Sequence, residues 1–188
     1  MKSMMAFSMP RILGRFARDK RGVSAIEFAF LAPLMIALYL GCVEISDGVA
    51  ADRKVTLTAG TLANLLAQST GTLQAADFTN IFNASTAVMK PYSTATLAAT
   101  VSCLKIDAAG VVKVAWSETK NGTARPVGSS PTIPAALVNP STSLIWSEVT
   151  FGYTPIIGYT ITGTLNLSDQ MFMSPRQTAP ADDTKTCS

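Results

Sequence analysis

Few residues in this chain combine a reactive type with a telling spacing, and most of them fall in one stretch. In RGVSAIEFAFLAPLM, residues 21–35, a glycine is followed at the fifth position by a carboxylate, Glu27, and nearly every other side chain is apolar. An acid near the front of a long uncharged run is costly to leave alone in lipid. Two readings of Glu27 stay open: it pairs with a cation, or its side chain reaches back to the membrane–water interface near Arg21. The second set of reactive residues is the three cysteines, Cys42, Cys103 and Cys187. The chain has no histidine, so no Ser-His or Cys-His pair can be assembled. Three dispersed cysteines with scattered acids give no zinc-ligand spacing, and no glycine-rich loop leads into a lysine that would cradle phosphate. Asp77, Asp107 and Asp169 sit in unrelated contexts. The expectation is a chain that is not an enzyme and uses no cofactor and no metal.

These residues need a scaffold, and hydropathy supplies it. Residues 28–43 run for sixteen positions without a charge, and from Val23 the apolar segment is twenty-one long with Ser24 and Glu27 included. At about 1.5 Å per residue such a helix crosses a hydrocarbon core roughly 30 Å thick. Lys2, Arg11, Arg15, Arg18, Lys20 and Arg21 precede it against one acid, Asp19, whereas Glu44, Asp47 and Asp52 follow it. The positive-inside rule then puts the amino terminus in the cytoplasm and the body across the membrane. Residues 23–188 hold nine basic and eleven acidic groups, so the overall charge of +3 resides in the leader. Nucleic acid is thereby excluded as an electrostatic partner. An ordinary secretory signal fits less well, because no small-x-small cleavage site follows directly after a short core.

Gly22 followed by Val23-Ser24-Ala25-Ile26-Glu27 resembles the class III leader of type IV pilin-like proteins. The longer string GVSAIEFAFLAPLM, residues 22–35, is similar to the TadE-like family of minor pseudopilins from tight-adherence (Flp) pilus systems. The resemblance implies cleavage between Gly22 and Val23 by an inner-membrane prepilin peptidase, giving a mature chain from Val23 to Ser188. It also implies that Glu27, fifth in that mature chain, meets the new amino terminus of a neighbouring subunit. The implied partners are the peptidase, other pseudopilins or the major pilin, and the inner-membrane assembly platform. Residue chemistry is compatible: glycine lets a protease approach the backbone closely, and Pro33 loosens the helix by removing a donor, which membrane spans tolerate. The implied function is a structural or priming component of the pilus, anchored by one pass in the inner membrane with its head in the periplasm. The alternative is a membrane-anchored adhesin, acting in cell adhesion, or a regulatory binding module.

Beyond the span, Ile45, Val49, Val55 or Thr56, Ala59, Leu62 and Leu65-Leu66 recur at helical steps, predicting one helix of about 70 Å from Val23 to about Gln68. Its stripe serves either a globular head or a neighbouring helix. A second helix is expected from about Gln74 to Lys90, closed by Pro91. Alternation then predicts strands through Leu97–Cys103 and Val112–Trp116 joined by the turn Asp107-Ala108-Ala109-Gly110, and further strands through 145–153 and 159–167. Residues 119–143, with four prolines, read as a connection over the sheet surface, or as a recognition loop. The triplet Trp-Ser-Glu at 116–118 and 146–148 is too short to establish a repeat.

The expected fold is α+β: a long transmembrane helix continuing into a small helix-plus-antiparallel-sheet head. Its divisions are a basic leader (1–22), a transmembrane helix (23–43), a helical extension (44–70), the head (71–173) and a tail (174–188). Cys103 and Cys187 are the candidate disulfide outside the cytoplasm. A buried thiol at Cys103 with a free Cys187, or an intermolecular bond through Cys187, are the other readings.

Overall fold

In a computed structural model, which describes residues 21–69, 73–155, 158, 163–176 and 187, the apolar run and the stretch after it form a single helix, α1 (Arg21–Gln68), that passes through Pro33. The chain divides into two units, Met1–Val43 and Glu44–Ser188. In the first, Val23, Ile26, Phe28, Phe30, Leu34 and Leu38 each leave more than half of their surface open. Such side chains occur on every side of the helix, which suits lipid and not a one-sided protein core. By length and composition α1 is the helix among the described residues that can cross a membrane. Residues 1–20 of the expected leader (1–22) lie outside the described residues, as do 159–162 of the last expected strand and most of the expected tail.

The second unit is built on the carboxyl-terminal half of α1. Ala51, Val55, Ala59, Leu62, Ala63 and Leu66 are buried along one face, at the three- and four-residue steps of an amphipathic helix. That face differs from the expected stripe in one turn: Ile45 and Val49 are 55% and 48% exposed. The inward positions there are Glu44 and the half-buried Asp47 and Gly48, so the protein turns a polar edge inward where the apolar pattern pointed elsewhere. Helix α2 (Ala75–Thr86) starts where Gln74 N donates to Asp77 Oδ2 at 2.9 Å, satisfying one helix-entry group by side-chain capping. It ends earlier than expected, in a 3-10 turn over Ala87–Met89. Phe78, Phe82 and Met89 face the core.

Four antiparallel strands, β1 (Leu97–Ile106), β2 (Val112–Lys120), β3 (Thr142–Tyr153) and β4 (Leu165–Met173), form one sheet in the order β2-β1-β3-β4. The turn between β1 and β2 forms as its residues dictate: Asp107 Oδ1 accepts from Ala109 N and Val111 N, and Gly110 takes φ +81°, a conformation that favours glycine. Leu97, Ala99, Val101 and Cys103 of β1, with Ile145, Val149 and Phe151 of β3, join the helices in the main core. Simple alternation would place Val112, Val114 and Trp116 on one face. Instead the register slips between Cys103 and Leu104, where Trp116 and Val114 are the successive partners, so Ala115 is the extra residue of a bulge. Trp116 therefore faces the helices and meets Phe78 edge-on at 5.2 Å, while Val112 and Val114 face outward.

The last strand also ends later than expected. β4 covers Leu165–Met173 and so runs past the expected end at Leu167, with Leu167 opposite Phe151 and Met173 opposite Ile145. Residues 119–143 are more than a solvated connection. Gly128 N donates to Val114 O and Val114 N to Ser129 O, extending the sheet past β2, and Ile133 is buried with Leu137 and Val138 against Leu104, Ile106 and Leu144. A sheet whose outer face carries these apolar side chains requires such a cover. The segment also occupies the otherwise unpaired edge of β2.

Candidate functional site

The residues singled out by sequence fall into separate places. Gly22, Val23, Glu27 and Pro33 lie in the first turns of α1, all exposed, and a Cβ built at Gly22 would meet nothing within 4 Å. They form a linear feature of one helix, apart from the other polar clusters of the described residues. The cysteines do come together. Cys103 and Cys187 are joined by a disulfide with their Cα atoms 5.6 Å apart, tying a residue near the carboxyl terminus to the core face of β1. Cys42 is an exposed thiol on α1.

Two further ties hold the end of the chain. Arg176 N donates to Ala67 O at 2.9 Å, and Arg176 Nη2 to Asn64 Oδ1 at 3.3 Å. The first satisfies one of the carbonyls that every helix leaves open in its last turn. Contact between α1 and the sheet is close because small residues meet there: Ser147 Oγ, fully buried, donates to Ala59 O at 2.7 Å. Thr58, also fully buried, returns its hydroxyl to Lys54 O at 2.7 Å. Both polar side chains are thereby satisfied inside the core, as burial demands.

A polar cluster that the sequence did not announce lies at Asp47. Tyr92 Oη donates to Asp47 Oδ1 at 2.7 Å, and Tyr153 Oη donates to Oδ2 at 2.6 Å. The two rings stand edge-on with centroids 6.1 Å apart. Burial, then the hydrogen bond to Asp47 and its charge, push the Tyr92 phenol up to about 12. Tyr153 is raised by the same causes, with Tyr92 and Glu44 adding to them, since burial and nearby negative charge both oppose a phenolate. Beside the cluster is a cavity of about 450 Å³, lined by Asp47, Tyr92, Tyr153, Phe151, Pro91 and small neighbours. The tyrosines lie 45 and 106 residues from Asp47, so no local spacing could reveal the site. The available signal was an acid four positions after an apolar run, on the helix that the head packs against.

On the opposite face of the sheet Arg125 forks onto Glu148 at 2.7 and 2.6 Å and lies 3.9 Å over the Trp146 ring. The hydrogen bond to Glu148 favours the guanidinium charge. Trp146 in turn stacks on Phe172 and donates to Gln170 Oε1. The two Trp-Ser-Glu triplets thus carry their tryptophans on opposite faces, consistent with the absence of a repeat. Among the described residues no group of three or more His, Cys, Asp or Glu side chains is placed to hold a metal.

Residues 22–62 match a family described as TadE-like protein. That match opens at Gly22, includes the exposed apolar turns of α1 and ends within its buried stripe. No curated protein and no solved structure matches the chain.

Proposed function

We propose that this chain is a minor pseudopilin of a tight-adherence (Flp) pilus system, with a structural or priming role and no catalytic one. The observation that carries the reading is the point at which the TadE-like match begins: Gly22, the residue after which a pilin-type leader is cut. In this reading a prepilin peptidase removes residues 1–22 and α1 anchors the mature chain in the inner membrane. The amino terminus remains on the cytoplasmic side, and Glu27 meets the new amine of a neighbouring pseudopilin or major pilin. The head stands in the periplasm, beside the assembly platform. An intrachain disulfide supports an oxidising location for the head. The exposed apolar surface of residues 23–39 supports lipid or other helices as its surroundings. The alternative reading as an adhesin through residues 119–143 gains less support, because that segment is engaged in covering β2 and the outer face.

The amino terminus of the protein recovered from its native membrane tests the processing step. The expected first residue is Val23, and a chain starting elsewhere would rule out cleavage after Gly22. Site-specific crosslinking from the head to the major pilin or platform, with pili lost on deletion of the chain, is expected of a pseudopilin. Pili that assemble normally while surface attachment fails would favour the adhesin.

A further inference from the structure

The cavity beside Asp47 has no part in the pilus reading, yet its chemistry is selective. Most of its wall is carbon, from Pro91, Phe151 and the tyrosine rings, and among the described residues Asp47 is the only lining residue with a formal charge. Both carboxylate oxygens are held in place by phenol protons, which orient the group without neutralising it. Asp47 pairs with no cation among the described residues. An anion would be repelled here. A neutral apolar occupant would remove water from the carboxylate without replacing its interactions. A hard metal ion requires several oxygen ligands, and no group of three candidate ligands exists among the described residues.

We infer that this cavity binds an organic ammonium group. The positive head pairs with Asp47 in a charge-assisted hydrogen bond, its carbon substituents lie on the apolar wall, and the electron-rich rings favour the cation. The volume, about 450 Å³, is that of a small-ligand site. Two sources present this chemistry: a soluble amine, and the aminoethyl headgroup of a membrane lipid. The second is eligible because Asp47 follows Val43, the last residue of the apolar run, by four positions.

The full-length protein, with ring-labelled tyrosine, is placed in nanodiscs of phosphatidylglycerol alone and titrated with butylammonium, then with butanol as the uncharged control. Parallel nanodiscs contain phosphatidylethanolamine. The expected result is a saturable shift of the Tyr92 and Tyr153 signals with the amine or the amino lipid, and none with butanol. Asp47→Asn, which keeps an acceptor for one phenol, weakens the response about tenfold or more. Ser93→Lys, at an exposed lining position, competes with its own ammonium and abolishes it. A response to phosphatidylethanolamine alone assigns the lipid as source; a response to butylammonium without that lipid assigns a soluble amine. Absence of a saturable shift in both arms, an equal shift with butanol, or a response untouched by Ser93→Lys overturns the inference.

Discussion

The carboxylate of Asp47 draws together two phenols from distant parts of the head, and their burial, with the hydrogen bond and charge of Asp47, raises the pH at which each of them ionises. Because the folded state keeps Tyr92 protonated up to about pH 12, against about 10 in the unfolded chain, the folded protein binds more protons between those values. Its stabilising contribution is therefore complete below about pH 10 and is lost as the pH rises towards 12. The tyrosinate absorbance of the full chain in detergent should accordingly show a late step that coincides with unfolding. Tyr92→Phe should remove that phenol from the late step and flatten the loss of thermal stability between pH 10 and 12. A Tyr92 signal that titrates near pH 10 in the folded protein would contradict the burial of this phenol against Asp47. Asp47 was visible in the sequence only as a flanking acid, because a hydrogen bond spanning 106 residues leaves no periodic trace.

At the level of elements, α1 and the sheet meet through small side chains, and substitutions along the helix should separate by face. Ala59 is fully buried and its carbonyl accepts from Ser147, so Ala59→Leu should destabilise the head by about 1–3 kcal/mol through overpacking. Leu57, 58% exposed, should tolerate Ala within about 0.5 kcal/mol; chemical denaturation of both variants decides between the faces. The helices, β1, β3 and the turn at Asp107 were legible because each keeps its period and carries its own boundary residues. Three features were not. Ile45 and Val49 have the right spacing on the wrong side of the helix, and only the position of the sheet distinguishes the two sides. The bulge at Ala115 reverses the orientation of Trp116 relative to Val114, and a strand's composition does not reveal an extra residue. β4 contains Asp169, Gln170 and the run Met171-Phe172-Met173, a poor alternation that becomes a strand by pairing with β3. The Cys103–Cys187 bond joins residues 84 apart in the chain, and removing it by Cys187→Ser should cost about 2–4 kcal/mol, measured by the shift in denaturation midpoint under non-reducing conditions.

For the whole molecule, the two units require different surroundings. Glu44–Ser188 has its own core, whereas the apolar side chains of residues 23–39 are left open. The full chain should therefore remain with the membrane after alkaline carbonate extraction, and release by that treatment would contradict a membrane-spanning α1. Glu27 then allows the pilus reading to be separated from a plain anchor. An acid in the apolar run opposes insertion by up to about 3 kcal/mol at a helix centre and by less near its end, so Glu27→Gln should insert at least as well as the native chain. If Glu27 pairs with the amine of a neighbouring subunit, the same variant loses that partner while keeping its side-chain shape. Its co-isolation with sheared pili or with the assembly platform should then fall several-fold at unchanged membrane abundance, and Glu27→Asp, which keeps the charge, should recover part of the loss. If the side chain only reaches to the interface, Glu27→Gln should co-isolate as the native protein does, and Glu27 would then have no role in assembly.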